Sequence, residues 1–194
     1  NLQTLQRYAH DGSTSVLMDD FEYHYNSGNN QLNGLKDLAG PSLFGDRDID
    51  DATMGLGNYT YDEIGQLISD VDEGIAEIHW TVTNKVKEIE YTSGKRIVFE
   101  YNPMGNRIAK KVYDQSTLLS ATFYALDAQG NTMNVYTYEE DDKKLYLSER
   151  NIYGSSRIGQ ERLRQEMTLN PPGNGSNYMA MNESGDKYYE LSNH

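Results

Sequence analysis

The stretch KRIVFEYNPMGNRIAKKV (95–112) decides the fold. Phe99 and Tyr101 alternate before its centre, a period-2 spacing that places both rings on one face of a strand. Asn102 starts a turn by bonding its own backbone, Pro103 fixes φ at the favoured turn position, and Gly105 supplies the left-handed conformation from which a second strand leaves. Strand-like sequence resumes at Asn106, Arg107 and Ile108. The stretch therefore predicts a β-hairpin over Lys95 to Val112.

Outward from this hairpin the same phrase recurs: an acid or amide, two variable residues, a glycine, then another amide or acid. It stands at Asp62 to Gly65 and Gln66, at Asp127 to Gly130 and Asn131, and at Asn182 to Gly185 and Asp186. Alternating aromatics also occur at Tyr59 and Tyr61, and at Phe21, Tyr23 and Tyr25. Successive copies start 40, 25 and 55 residues apart, an irregular period that argues for a winding sheet and against a symmetric ring. Further strands are expected at Ile75 to Val82, Lys85 to Tyr91, Ser120 to Leu126, Asn134 to Tyr138, Leu145 to Tyr153 and Tyr178 to Met181, where β-branched or aromatic residues lie between turn signals. Residues 34–58, with Gly40, Pro41, Gly45, Gly55, Gly57 and clustered Asp, read as an irregular acidic excursion; 170–177 reads as a Pro/Gly-rich loop. Only Arg157 to Met167, through the Glu161 to Gln165 spacing, carries a helical pattern. The fold class expected is all-β, built from successive antiparallel β-hairpins.

Composition agrees. The chain of 194 residues holds 16 Tyr, 4 Phe and a single Trp, Trp80, and aromatic residues suit a pleated surface with one apolar and one wet face. The formal net charge of −13 repels phosphate backbones and anionic lipid, so nucleic acid and membrane-surface partners are disfavoured. No cysteine is present, which removes disulfides, thiol nucleophiles and thiolate metal sites. No apolar run approaches the ~18 to 20 residues of a spanning helix, and residues 1–20 lack a signal-peptide pattern, so any export signal is expected outside this stretch.

YTYDEIGQLISD (59–70), FEYNPMGNRIAKK (99–111) and YGSSRIG (153–159) resemble the YD repeats of Rhs proteins. The hallmark pair Tyr61 and Asp62 is followed by Gly65. IHWTVTNKVKEI (78–89) is similar to the family's aromatic strand pair, and LQRYAHDG (5–12) with FEYHYNSGNNQL (21–32) resembles a further repeat. Asn102 departs from the repeat's Asp, and Leu126 from its Tyr. The resemblance implies hairpins that form part of a large spiralling β-sheet shell, a cocoon enclosing a C-terminal polypeptide that is a toxin in many relatives. Relatives include the C subunits of insecticidal toxin complexes and the teneurins. It implies a secreted or bacterial cell-surface location, with the remainder of the shell, the enclosed polypeptide and secretion machinery as partners. YYELSNH (188–194) looks like the start of the segment leading into the family's core, whose self-cleaving aspartate site and variable tail are expected beyond it.

No residue is assigned a catalytic, cofactor-binding or metal-binding role. DRDIDD (46–51) opens like a calcium loop, with Asp46, Asp48 and Asp50 at alternate positions. The sixth position is Asp51 where Gly is needed and the twelfth is Gly57 where Glu is needed, so a solvated acidic loop is the expectation. EEDDKK (139–144) reads as an exposed hairpin tip that opposes edge aggregation. His10, His24, His79 and His194 show no ligand spacing. There is no GxSxG elbow, Gly154 to Gly159 lacks a phosphate-binding Lys, and the Asn-x-Ser/Thr triplets at Asn58, Asn174 and Asn182 are expected by chance in an Asn-rich chain. The expected function is a non-catalytic structural segment of an Rhs shell. The alternative is a cell-surface adhesion or carbohydrate-binding β-module, with tyrosines stacking on sugar instead of on neighbouring strands.

Overall fold

The computed structural model describes residues 1–10, 12–39, 56–167 and the strand at 186–189. The chain is all-β, and no helix occurs among the described residues. The strands are β1 (Thr4–His10), β2 (Ser15–Tyr25), β3 (Leu32–Asp37), β4 (Tyr59–Tyr61), β5 (Leu67–Asp70), β6 (Ile75–Trp80), β7 (Val86–Tyr91), β8 (Lys95–Tyr101), β9 (Arg107–Asp114), β10 (Thr117–Leu126), β11 (Thr132–Glu139), β12 (Lys144–Tyr153), β13 (Arg157–Glu166) and β14 (Asp186–Tyr189). They fall into two compact units: Asn1–His79 with Ile89–Ser93, and Trp80–Glu88 with Gly94–His194.

In the first unit β1, β2 and β3 form an antiparallel sheet, and β4 pairs with β5. β2 buries Met18 and Phe21 and, between them, the carboxylate of Asp19. That charge is met by the Arg7 guanidinium in a two-point contact, Nη2 to Oδ1 at 2.6 Å and Nε to Oδ2 at 2.7 Å, the geometry that makes burial of a carboxylate tolerable. Asn58 and Asp70, both buried, bond each other at 3.0 Å across the β4–β5 hairpin. These two buried polar contacts meet the need of polar groups removed from water for a hydrogen-bonding partner.

In the second unit β8 to β14 pair antiparallel in chain order, each strand beside its chain neighbour. Fully buried apolar side chains among its described residues are Ala109, Ala121, Tyr146 and Leu147, and most of the rest are half-buried. Small residues at 109 and 121 allow close strand approach while longer side chains spread over both faces.

The 95–112 hairpin forms as β8 and β9, with Tyr101 opposite Arg107. The helical reading of Arg157 to Met167 is wrong: Arg157–Glu166 is strand β13, paired with β12 over Tyr153 to Tyr146. An i,i+4 pair is worth only ~0.2 to 0.5 kcal/mol, too little to compete with a full ladder of strand hydrogen bonds. Within 34–58, Gly34 to Asp37 belong to β3, and residues 40–55 lie outside the described residues. So do the 170–177 loop, the strand expected at Tyr178 to Met181 and the turn expected at Asn182 to Gly185.

Candidate functional site

The recurring phrase folds into one recurring joint. At Asp62 the side chain accepts from the N–H groups of Ile64 (3.0 Å) and Gln66 (2.8 Å), and the backbone closes twice, Asp62 N–H to Gln66 and Gly65 N–H to Asp62. At Asp127 the carboxylate accepts from Gln129 and Asn131, both at 2.8 Å, and at Asn102 the amide oxygen accepts from Asn106 at 2.9 Å. Gly65, Gly105 and Gly130 take φ of +87°, +80° and +91°. The acid or amide fills the turn's donors and the glycine reverses the chain.

A fourth described joint of this kind stands at Thr81 to Lys85, where sequence reading ended one strand at Val82 and began the next at Lys85 without identifying the turn. Thr81 N–H donates to the Lys85 carbonyl at 2.8 Å, the Thr81 hydroxyl accepts from Lys85 N–H at 3.0 Å, and Asn84 takes the glycine's place at φ +59°. Counting it, the described joints start at 62, 81, 102 and 127, which are 19, 21 and 25 residues apart. The interval of 40 was two units, and the irregularity inferred from it is removed over this stretch. The signal was legible: Thr replaces Asp as acceptor and Asn replaces Gly in the left-handed region.

Most of the described joints carry one or both of two further features that spacing alone does not encode. One is a β-bulge immediately before the turn: the register shifts at Tyr61, Tyr101, Leu126 and Tyr153, leaving Ile68, Ile108, Met133 and Ile158 as the extra residue on the returning strand. Tyr25 shows the same shift, with Asn33 extra. The other is a tyrosine clamp. The last residue before the turn sends its hydroxyl to a backbone carbonyl at or just before the start of the preceding strand: Tyr25 to Leu2 (2.8 Å), Tyr61 to Leu32 (2.9 Å), Tyr101 to Val86 (2.8 Å) and Tyr153 to Thr132 (2.9 Å). Burial pushes the Tyr61 phenol above its ordinary pKa, in keeping with a neutral donor. The repeat needs Tyr and not Phe for this bond.

Rings pack chiefly on cations. Arg96 lies over Tyr113 at 4.1 Å, Arg107 over Phe99 at 4.4 Å and Arg164 over Tyr146 at 4.2 Å, while Phe21 and Tyr23 meet edge to face at 6.2 Å. Arg164 also bonds both carboxylate oxygens of Glu139 at 2.9 Å, beside the Asp142 to Lys144 turn. Residues 140–143 form that exposed hairpin tip, as the EEDDKK run predicts.

Two joints lack the clamp residue: Trp80 precedes Thr81, and Leu126 precedes Asp127. Both line one groove in the second unit, of about 670 Å³, together with Tyr101, Tyr124, Lys85, Arg107 and the turn residues Asn84 and Asn106. The Lys85 ammonium sits 5.4 Å over the Tyr101 ring and donates to the Gly105 carbonyl, so its position is fixed from two sides. Asn106 packs onto Gly130, where an added Cβ would lie 2.5 Å from its Nδ2.

Among the described residues no group of three His, Asp or Glu is placed to hold a metal ion. Asp46, Asp48, Asp50 and His194 lie outside them. His79 stands between Glu77 (3.6 Å) and Glu90 (3.2 Å) on the surface of the first unit, and His10 bonds the Gly12 N–H at 3.0 Å. Asp70 is occupied by Asn58 and the Glu73 N–H, a turn-forming role. No helix among the described residues is long and apolar enough to cross a membrane. Compared with family models and with curated proteins, the sequence matches none.

Proposed function

We propose that the chain is a non-catalytic wall segment of an Rhs/YD-repeat shell, part of a secreted or bacterial cell-surface protein whose shell encloses a C-terminal effector. The observation that carries this reading is the joint that recurs with its bulge in the same place. A bulge bends its strand and raises the local twist. Repeated beside the turn in five hairpins, those at Tyr25, Tyr61, Tyr101, Leu126 and Tyr153, it curves a sheet progressively, and a container wall must curve. The clamps serve the same end by locking four hairpins to the strand before them. Slight apolar burial in the second unit also fits a thin wall whose inner face is meant to meet other polypeptide. The partners are then the remaining shell, the enclosed polypeptide and the secretion machinery, and a charge of −13 favours neither nucleic acid nor lipid headgroups.

Limited proteolysis of the full-length protein tests the proposal. The polypeptide following this wall should resist digestion in the intact protein and lose its protection when Gly105→Val opens a joint. Equal digestion of that polypeptide with and without the wall would overturn the container role.

A further inference from the structure

We infer that the groove at the two clampless joints is a binding site for an acidic oligosaccharide, a function beyond that of a passive wall. The first observation is where the repeat departs from itself. The joints at 62 and 102 spend a tyrosine on the clamp; those at 81 and 127 carry Trp80 and Leu126, and both line the groove. Places where a repeated local rule is broken are where function is sought.

The second observation is charge. In a chain of net charge −13, the groove is lined by two cations and no Asp or Glu. Among the described residues neither Lys85 nor Arg107 has a carboxylate within ion-pair distance, as is true also of Lys87 and Lys110, whereas Arg96, Lys111, Lys144, Arg150 and Arg164 of the same unit are paired. The Arg107 guanidinium lies 4.4 Å over Phe99 and 5.9 Å from the Tyr101 centroid. A planar guanidinium held against rings suits a carboxylate.

The third is the shape of the lining. Trp80, Tyr101 and Tyr124 line the groove with aromatic surface suited to the C–H face of a pyranose, and Asn106 brings a side-chain amide, donor and acceptor suited to hydroxyls. Tyr101 is held by its bond to Val86, so its ring is fixed before any ligand arrives. A volume of about 670 Å³ suits two or three sugar rings. It is small for a protein partner, which needs ~800 Å² of contact on each side. Charge complementarity therefore selects a sugar that carries a carboxylate, such as a uronic acid.

Trp80 is the only tryptophan, so its fluorescence reports on the groove alone. The full chain is titrated with trigalacturonic acid, its fully methyl-esterified neutral form, and an acidic Glu/Tyr peptide of similar length. Saturable quenching or shift by trigalacturonic acid is expected, weakened about tenfold by methyl esterification and again about tenfold in Arg107→Gln. Arg107 is exposed, so circular dichroism of this variant should match the parent. Absence of a saturable response at millimolar saccharide, or binding indifferent to both changes, would overturn the site. Binding of the peptide in preference to the saccharide would overturn the ligand class and identify a polypeptide groove.

Discussion

The Tyr101 hydroxyl stands 2.8 Å from the Val86 carbonyl oxygen, so a side chain at the end of β8 closes on the backbone at the start of β7. Removing only that hydroxyl leaves the ring, its packing on Lys85 and the strand pairing in place. Tyr101→Phe should cost about 1 kcal/mol, the net worth of one such bond, seen as a lower urea midpoint at unchanged slope. Tyr153→Phe should cost the same. Phe matching Tyr at both positions would reduce the clamp to ring packing.

The converse change is equally informative. Leu126 ends β10 as Tyr101 ends β8, and the strand that precedes it, β9, opens at Arg107. By the geometry of the other joints, Leu126→Tyr places a hydroxyl at the Arg107 carbonyl. The variant is expected to be more stable by about 1 kcal/mol in the same urea titration. Loss of stability would mean that the clamp depends on more than strand order.

Much of this was open to sequence reading, for reasons that differ by residue. Asn102, Pro103 and Gly105 announce a turn because acceptor, fixed φ and left-handed backbone are all local properties of adjacent residues. Thr81 to Asn84 does the same chemistry in other letters and escaped a search for Asp, Asn and Gly. Ile108 and Met133 could not be identified as bulge residues, since a bulge is a relation between two strands and no one-strand pattern marks it. The groove was hidden for a related reason. Trp80, Arg107 and Tyr124 are brought together by register across successive strands, and nothing in their spacing foretells it.

Gly105 and Gly130 both sit at positive φ, and at each an added Cβ would press on a neighbouring side chain, more closely at Gly130. At Gly105 it would meet the terminal Nζ of Lys85 at 2.9 Å; at Gly130 it would meet the Asn106 amide at 2.5 Å and its Cγ at 3.1 Å. Gly105→Ala should cost ~1 to 2 kcal/mol, chiefly from backbone conformation. Gly130→Ala should cost roughly 1 kcal/mol more, from the displaced amide. Adding Asn106→Ala to Gly130→Ala should narrow that gap in denaturant midpoints, and an unchanged gap would remove Asn106 as its cause.

Asp127 gives the turn a pH dependence. Its carboxyl is held below the ordinary value first by the Asn131 side-chain amide, at 2.9 Å, and then by the backbone N–H groups of Asn131, Gln129 and Gly130. A depressed folded pKa means stabilisation that is present above the unfolded value of about 3.9 and lost as pH falls through the folded one. The carboxyl carbon of Asp127 should therefore titrate by NMR below the ordinary aspartate value of about 3.9. Asp127→Asn should keep the turn, as Asn102 does, and remove this step; a midpoint at the ordinary value would contradict the assignment.

Arg7 and Asp19 test how the first unit holds a charge inside a sheet. The Asp19 side chain is fully buried and the Arg7 side chain 37% exposed, so removing the arginine strands a desolvated carboxylate while removing both leaves no charge behind. Arg7→Met is expected to cost roughly 2 kcal/mol, below the ~3 to 5 of a fully buried pair because water reaches the guanidinium. Arg7→Met with Asp19→Leu should recover most of that loss, because an apolar pair of similar volume carries no desolvation penalty. If the double variant is instead less stable than the single, the pair contributes more than it costs to bury, and Asp19 belongs to the packing of β2 through contacts that leucine cannot replace.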